Sequence, residues 1–271
     1  MSEGRPRIER LFEVHGLPRM PLPEGIERSY AGHFGLAQRV VFGNFVTTID
    51  GVAAIEGVKM SSAAISGGEP ADRFVMGLLR AVADAVVIGS ATLAEHPGPW
   101  SAERAFPDAA TEFEEARAGL GLPDAPTLVV VTGSGDLPPD HAALQNAIVI
   151  TTSSGARTMA DARLSCREVI EAADDGRVDP GSAVRALRER GFHRILTEGG
   201  PRLMASMLEA SVVDELFLTI SPKLIGGGPD RPPLTNGAEG LDLDSAAQLL
   251  SARRAGDYLL LRYRMGRGSA A

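Results

Sequence analysis

The sequence predicts an α/β protein: a largely parallel β-sheet covered by helices on both faces. Three observations point there. Strand-like segments alternate with helix-like ones along most of the 271 residues. Several strand candidates are continuous apolar runs rather than alternating ones, the pattern of strands buried on both faces. Five of them end in small or hydroxyl residues, which suits the carboxyl edge of a parallel sheet, where ligands bind.

Taken in order, residues 1–38 scatter proline and glycine, as in "HGLPRMPLPEGIERSYAGHFG", and read as a mostly irregular arm before a domain that starts at Arg39. "RVVFGNFVTTIDG" is rich in β-branched and aromatic residues and ends at glycine, which makes it a strand and its exit. "EPADRFVMGLLRAVAD" is helical, with Pro70 near its start and Phe74, Leu78 and Ala81 on one face. "AVVIGSAT" is a short buried strand meeting a Gly-Ser turn. Residues 94–126 are rich in proline, alanine and glutamate and hold a loop and a surface helix around "TEFEEARAGL". "TLVVVTGSG" and "AIVITTSSG" are two further strands with small-residue exits. "PGSAVRALRERG" begins with proline, turns basic and closes on glycine, so it is a helix. "HRILTEGG" is a strand and turn and "PRLMASMLEAS" the helix after it. "DELFLTISPKLIGGG" opens from a strand into a glycine-rich loop, and "YLLLRYRM" is a late strand. No internal repeat and no linker divides the chain.

Composition narrows the function. A formal charge of −8 disfavours nucleic acid and anionic membrane as partners, because both select basic faces. No run of about 18 apolar residues occurs, and the charged, proline-containing start is unlike a signal peptide. The single cysteine, Cys166, forms neither an intrachain disulfide nor a cysteine-cluster metal site, and its place beside Val169-Ile170 gives it a structural role. His96, His141 and His193 lack metal spacing and read as packing or surface residues. Together these features place the protein in the cytoplasm, with no metal.

The strand exits are Thr47-Thr48, Gly89-Ser90-Ala91-Thr92, Thr132-Gly133-Ser134, Thr151-Thr152 and Glu198-Gly199-Gly200. On one sheet edge they form a rim of backbone N–H groups and few bulky side chains, which suits a phosphate. Gly199 and Gly200 permit a tight turn, and the helix from Pro201 aims its positive end outward. A glycine pair between strand and helix is also, more commonly, only a turn. Neither GxGxxG after a first strand nor GxxxxGK[ST] is present. Glu198, at the exit of a buried strand, is either a helix-capping acid or a carboxylate facing a site. Asp50 is a turn aspartate or a site carboxylate, Arg80 a surface arginine or a phosphate ligand. "IGGGPD" at 225–230 reads as a loop, since no helix pattern follows it.

In order, "NFVTTIDGVAA", "LLRAVADAVVIGSATLAEHP", "RILTEGGPRLMASMLEASVVDELFLTISPKLIGGG" and "YLLLRYR" resemble the reductase domain of the bifunctional riboflavin-biosynthesis deaminase/reductase, a member of the dihydrofolate-reductase-like superfamily. The resemblance implies a single domain over 39–271, with a central mixed β-sheet flanked by helices, usually a homodimer. It also implies NADPH-dependent reduction of a pyrimidine ribosylamine phosphate to the ribitylamine. By position it places NADPH against Val46, Thr48, Gly89, Ser90, Thr92, Glu95, Ser134, Gly199, Gly200, Pro201, Arg202 and Leu203. Glu95 stands where the family usually has aspartate. Ser62, Arg80 and Glu198 match substrate contacts, Glu198 holding the pyrimidine edge. The 2′-phosphate ligands are sought among Ser90, Ser134 and Ser153, and Asp50 or water is the proton donor. The deaminase signatures, His-x-Glu and Pro-Cys-x-x-Cys, are absent, so the resemblance is to a stand-alone reductase domain. "KMSSAAISGG" carries Ala64 where an aromatic often sits, and "GPWSAER" offers Trp100 and Arg104 near the substrate phosphate. These departures leave two other readings open: a reductase of dihydrofolate or another pteridine on the same fold, and a non-catalytic NADPH-binding module.

Overall fold

The computed structural model describes residues 4–174, 176–237 and 246–266. The described chain runs β1 (Glu9–Glu13), α1 (Glu24–Tyr30), β2 (Val40–Thr48), α2 (Ser61–Ser66), α3 (Pro70–Val82), β3 (Ala85–Gly89), α4 (Ser90–Glu95), α5 (Ala102–Ala105), α6 (Ala110–Gly119), β4 (Thr127–Val131), β5 (Ile148–Thr152), α7 (Ser153–Asp161), β6 (Glu168–Ala173), α8 (Pro180–Glu189), β7 (Arg194–Thr197), α9 (Pro201–Glu209), β8 (Glu215–Ser221), β9 (Gln248–Ala255) and β10 (Tyr258–Arg264). The strands form one sheet in the order β1-β9-β10-β8-β2-β7-β3-β4-β5-β6. From β8 to β6 neighbours are parallel, while β10, β9 and β1 extend it antiparallel. The sheet is therefore mixed and flanked by helices, as the resemblance implies.

Two apolar layers sandwich the sheet. On one face α3 buries Phe74, Leu78 and Ala81 completely, as their spacing requires, against Phe42, Val86, Ile88 and Leu196. Phe74 and Leu78 each contribute roughly 1.5–3 kcal/mol by leaving water. On the other face α8 and α9 bring Ala183, Leu187, Met204 and Met207 against Val87, Val129, Ile150 and Ile195. Proline opens both α3 and α8, where Glu69 and Asp179 accept from the first-turn N–H groups of Ala71 and Ser182.

The N-terminal segment differs from the expected arm. β1 pairs with β9, and α1 with the turn after it places Ile26, Tyr30 and Phe34 in the α3-side core. Arg253 anchors the segment: its Nε donates to the Tyr30 carbonyl at 2.8 Å, its Nη2 meets Glu13 at 2.6 Å, and it lies 3.8 Å over the Tyr30 ring. Residues 9–36 are thus part of the same packed body.

The order of strands places the site. The chain leaves β2 over one face by α3 and skips β7 to reach β3. It leaves β7 over the opposite face by α9 and skips β2 to reach β8. The adjacent carboxyl ends of β2 and β7 therefore send their connections apart, which opens a crevice between them.

Candidate active site

Glu198 follows β7, and its N–H donates to the Val87 carbonyl at 3.0 Å, so it continues the sheet for one more residue. Its side chain is not a helix cap. Arg80, two turns along α3 from Asp72, grips it with two nitrogens: Nε to Oε1 at 2.9 Å and Nη2 to Oε2 at 2.6 Å. Both side chains are 9% exposed. The third guanidinium nitrogen, Nη1, donates to the Ser101 carbonyl at 3.2 Å. Arg80 is thereby neither a surface arginine nor, in this arrangement, a free phosphate ligand. It is the counter-charge that lets Glu198 sit in the crevice, with the carboxylate's remaining lone pairs available to an N–H donor.

The two glycines after Glu198 have different reasons. A Cβ on Gly199 would come within 2.4 Å of Leu203 Cδ2, so this glycine is required by the packing of the α9 turn. A Cβ on Gly200 would meet nothing nearer than Thr92 Oγ1 at 3.9 Å, and its φ of −62° suits any residue. The protein does not itself need glycine at 200, and a backbone approached closely by a ligand does. Gly200 is also the N-cap of α9, where no side chain caps the helix. By contrast Thr152 caps α7, accepting from Gly155 N at 3.0 Å and donating to the Gly133 carbonyl at 2.8 Å. The exits of β4 and β5 are knitted together by that threonine, so the open part of the rim is the β3 and β7 side. Gly89, Ser90 and Thr92 line it from α4, and Pro201, Arg202 and Leu203 from α9, with Arg202 exposed. Glu95, the last residue of α4, is exposed.

On the β2 side Val46 is buried in register with Thr219 of β8. Thr48 uses its hydroxyl for the turn, accepting from Val52 N at 2.9 Å and donating to Asp50. Asp50 itself is a loop staple. Its other oxygen accepts from Gly226 N at 2.6 Å and Ile225 N at 3.2 Å, which fixes the 225–230 segment as a loop. The Thr48 hydrogen bond first, then those from the backbone, hold its carboxyl below the usual carboxylate range. An exposed acid that is already ionised and saturated with donors cannot serve as proton donor near neutrality, which corrects that expectation. Asp50→Ala is expected to increase amide exchange at Ile225 and Gly226 while leaving the alkaline limb of any rate profile in place.

Other expected contacts scatter more widely. Ser62 is exposed on the six-residue α2. Ser134 is exposed and its Oγ accepts from Asp136 N at 3.2 Å. Ser153 Oγ donates to Glu171 at 2.5 Å, a carboxylate neighbour that disfavours a 2′-phosphate there. Trp100 is buried between His96 and His141, and Arg104 is exposed on α5. Cys166 donates to the Glu168 carbonyl, and burial raises its thiol pKa, in keeping with an inert residue. No group of three potential metal ligands occurs among the described residues.

Two residues of this edge were not legible as site residues in the sequence. His96, after α4, lies in the field of Arg80 and Glu198, and burial lowers its imidazole pKa. Asp72, in the first turn of α3, is 7% exposed beside the Thr219 side chain. Burial first, then repulsion from Glu69 and Glu198, pushes its carboxyl up to about 6 from 3.8, against a lowering hydrogen bond from Thr219. Between pH 4 and 6 the folded protein holds a proton that the unfolded chain releases. Asp72 therefore subtracts stability as pH rises through 6, by about 3 kcal/mol for a shift of about two units. Asp72→Asn is expected to melt higher than the parent at pH 7.5 and to lose that advantage below pH 4.

This crevice combines helix starts without side-chain caps, an open glycine and a charge-paired carboxylate, groups whose chemistry suits a phosphate-bearing ligand beside a polar small molecule. Residues 39–260 match the sequence profile of the RibD C-terminal domain, and the chain belongs to that family. It is 31% identical over 226 residues to the 2,5-diamino-6-ribosylamino-4(3H)-pyrimidinone 5′-phosphate reductase of Methanothermobacter thermautotrophicus, covering 81% of this chain and 95% of that one. The Archaeoglobus fulgidus protein of the same name is 29% identical, over 73% and 86% of the two chains. Among solved structures, a pyrimidine reductase-like protein from Corynebacterium diphtheriae superposes with a TM-score of 0.67 at 23% identity, over 90% of this chain and 99% of that one. The deaminase/reductase of Thermotoga maritima gives 0.61 at 19%, over 84% and 57%. These two share the fold.

Proposed function

We propose that this protein is an NADPH-dependent reductase of riboflavin biosynthesis, converting a pyrimidine ribosylamine phosphate to the ribitylamine. The observation that carries this reading is the Arg80–Glu198 pair set beside the uncapped start of α9 at Gly200, within a family match that spans most of the chain. Gly200, Pro201, Arg202 and Leu203 would hold the cofactor pyrophosphate, with Gly89, Ser90 and Thr92 opposite and Glu95 and Ser134 toward its outer end. Val46 and Thr48 would wall the nicotinamide. The cofactor, when bound, supplies a hydride. The chain's own task is to orient the acceptor and to keep water out of the crevice. Glu198, fixed by Arg80, accepts from N–H groups on the pyrimidine edge. Ser62 would approach from α2.

Steady NADPH oxidation that depends on the pyrimidinone ribosylamine phosphate tests the proposal. Dihydrofolate in the same assay separates the pteridine reading, and silence with both acceptors would favour a binding module. NADPH is expected to bind at least tenfold more tightly than NADH by calorimetry; equal affinities would count against the family's cofactor choice here. We also infer a homodimer acting in the cytoplasm. No described helix is long and apolar enough to cross a membrane. Leu11 and Phe12 stand about half exposed on the sheet-edge strand β1, a surface that a second copy would cover. Sedimentation velocity reads the dimer directly.

A further inference from the structure

The short helix α2 cannot hold its own place. Its six residues fall well below the roughly 12–15 at which an isolated helix becomes marginally stable in water. Its start has no side-chain cap, and the chain enters it through Met60 in the left-handed region, at φ 53°. Ile65 is the one large apolar side chain that it buries, where it packs on β2 and β8. Ser62, Ala63 and Ala64 are exposed. Yet α2 carries Ser62, the residue that the reading above brings to the substrate, so its position must be set from outside the helix.

Two side chains from the sheet take the carbonyls of its last turn. Lys223, just past β8, donates its ammonium to the Ala64 carbonyl at 2.5 Å. Tyr258, the first residue of β10, donates its hydroxyl to the Ser66 carbonyl at 2.8 Å. A helix end leaves these carbonyls without an intrahelical partner, and a cation there also meets the negative end of the helix dipole. The two anchors converge on Gly67. A Cβ there would lie 3.1 Å from Lys223 Nζ and 3.2 Å from the Tyr258 hydroxyl, and its φ of +66° supplies the left-handed C-cap. Lys223 has no carboxylate partner among the described residues, so its charge serves the helix end. The anchor is itself braced: the Lys223 carbonyl accepts from Ile49 N at 3.0 Å, and Asp50 accepts from Ile225 N and Gly226 N just beyond. The exits of β2 and β8 and the end of α2 therefore meet at Lys223.

We propose that Lys223 and Tyr258 are positioning residues of the reduction, holding α2 so that Ser62 stands over the crevice to meet the pyrimidine substrate. The inference rests on the reductase reading above. Neither side chain touches the reacting atoms. Both act through α2, on the acceptor's side of the crevice, and leave alone the pyrophosphate side built on α4 and α9. A contact displaced by about 1 Å is enough to lose most of its worth, which makes the hold on a marginal helix matter to substrate capture.

Steady-state kinetics with NADPH and the pyrimidinone ribosylamine phosphate test it. Lys223→Met and Tyr258→Phe are each expected to raise KM for the pyrimidine about tenfold, with kcat changed far less and NADPH affinity by calorimetry unchanged. Amide exchange should quicken at residues 63–68 in both variants and stay at the parent's rate in α9. The comparison that a merely structural role would not pass is made on a Ser62→Ala background. Anchors that act through Ser62 raise KM little further there, whereas an equal rise with and without the Ser62 hydroxyl overturns the proposal. Tyr258→Phe removes a single oxygen, so it carries the test should Lys223→Met fail to fold. Wild-type turnover with an unmoved KM in the variants overturns the positioning role alone. No turnover by the wild-type protein overturns the reductase reading and the positioning role with it.

Discussion

Arg80→Met is expected to destabilise the protein by about 3–5 kcal/mol in urea unfolding, the largest loss from any single change at this edge. The variant leaves the Glu198 carboxylate 9% exposed with no counter-charge. It also strips the Ser101 carbonyl of its donor. The cost comes from the stranded charge rather than from the bond itself, so a second change should recover most of it. Arg80→Met combined with Glu198→Gln is expected to regain more than half the loss, because no buried charge remains. Glu198→Gln alone should spare NADPH affinity and weaken turnover or substrate affinity by roughly ten- to hundredfold, since the amide presents donors where the pyrimidine edge needs acceptors. If Glu198→Gln has wild-type kinetics on every acceptor the parent reduces, the carboxylate is only a structural partner for Arg80.

Gly200→Val is expected to weaken NADPH binding by about a hundredfold while leaving the melting temperature within a few degrees. Its Cβ has room in the protein and a permitted backbone, and its branches would fill the space into which a pyrophosphate must come. Gly199→Val is the opposite case. Its Cβ collides with Leu203, so the fold should suffer before binding does. Calorimetry beside thermal unfolding on the two variants separates a turn glycine from a ligand glycine. Normal NADPH binding by a destabilised Gly200→Val would return both to the turn.

These two sites were legible in the chain to different depths. The buried parallel strands announce themselves as unbroken apolar runs, and an acid with two glycines at such an exit stands out against them. The edge strands do not. β1 reads ERLFE with nearly every side chain exposed, and β9 carries Arg253 and Arg254, so neither shows the pattern of a half-buried strand. Their place comes from pairing with each other and with β10. α1 lies hidden among prolines, with Pro23 before it and no side-chain cap. Arg80 and Asp72 are illegible for another reason. A mid-helix arginine and a first-turn aspartate are what any surface helix uses, the latter favoured by the helix dipole. Only the strand order, which sets β7 and β8 beside β2 under α3, gives Arg80 its carboxylate and Asp72 its threonine.

Hydride transfer from NADPH to the ribosylamine carbon is the expected reaction in this crevice. The protein is mixed with the pyrimidinone ribosylamine phosphate and NADPH carrying deuterium on the transferred position of C4, and the product is read by mass and NMR. A ribitylamine one deuterium heavier, labelled at C1′, is expected in one-to-one yield with NADP⁺. NADPH left unconsumed, or a product without deuterium at C1′, would contradict it.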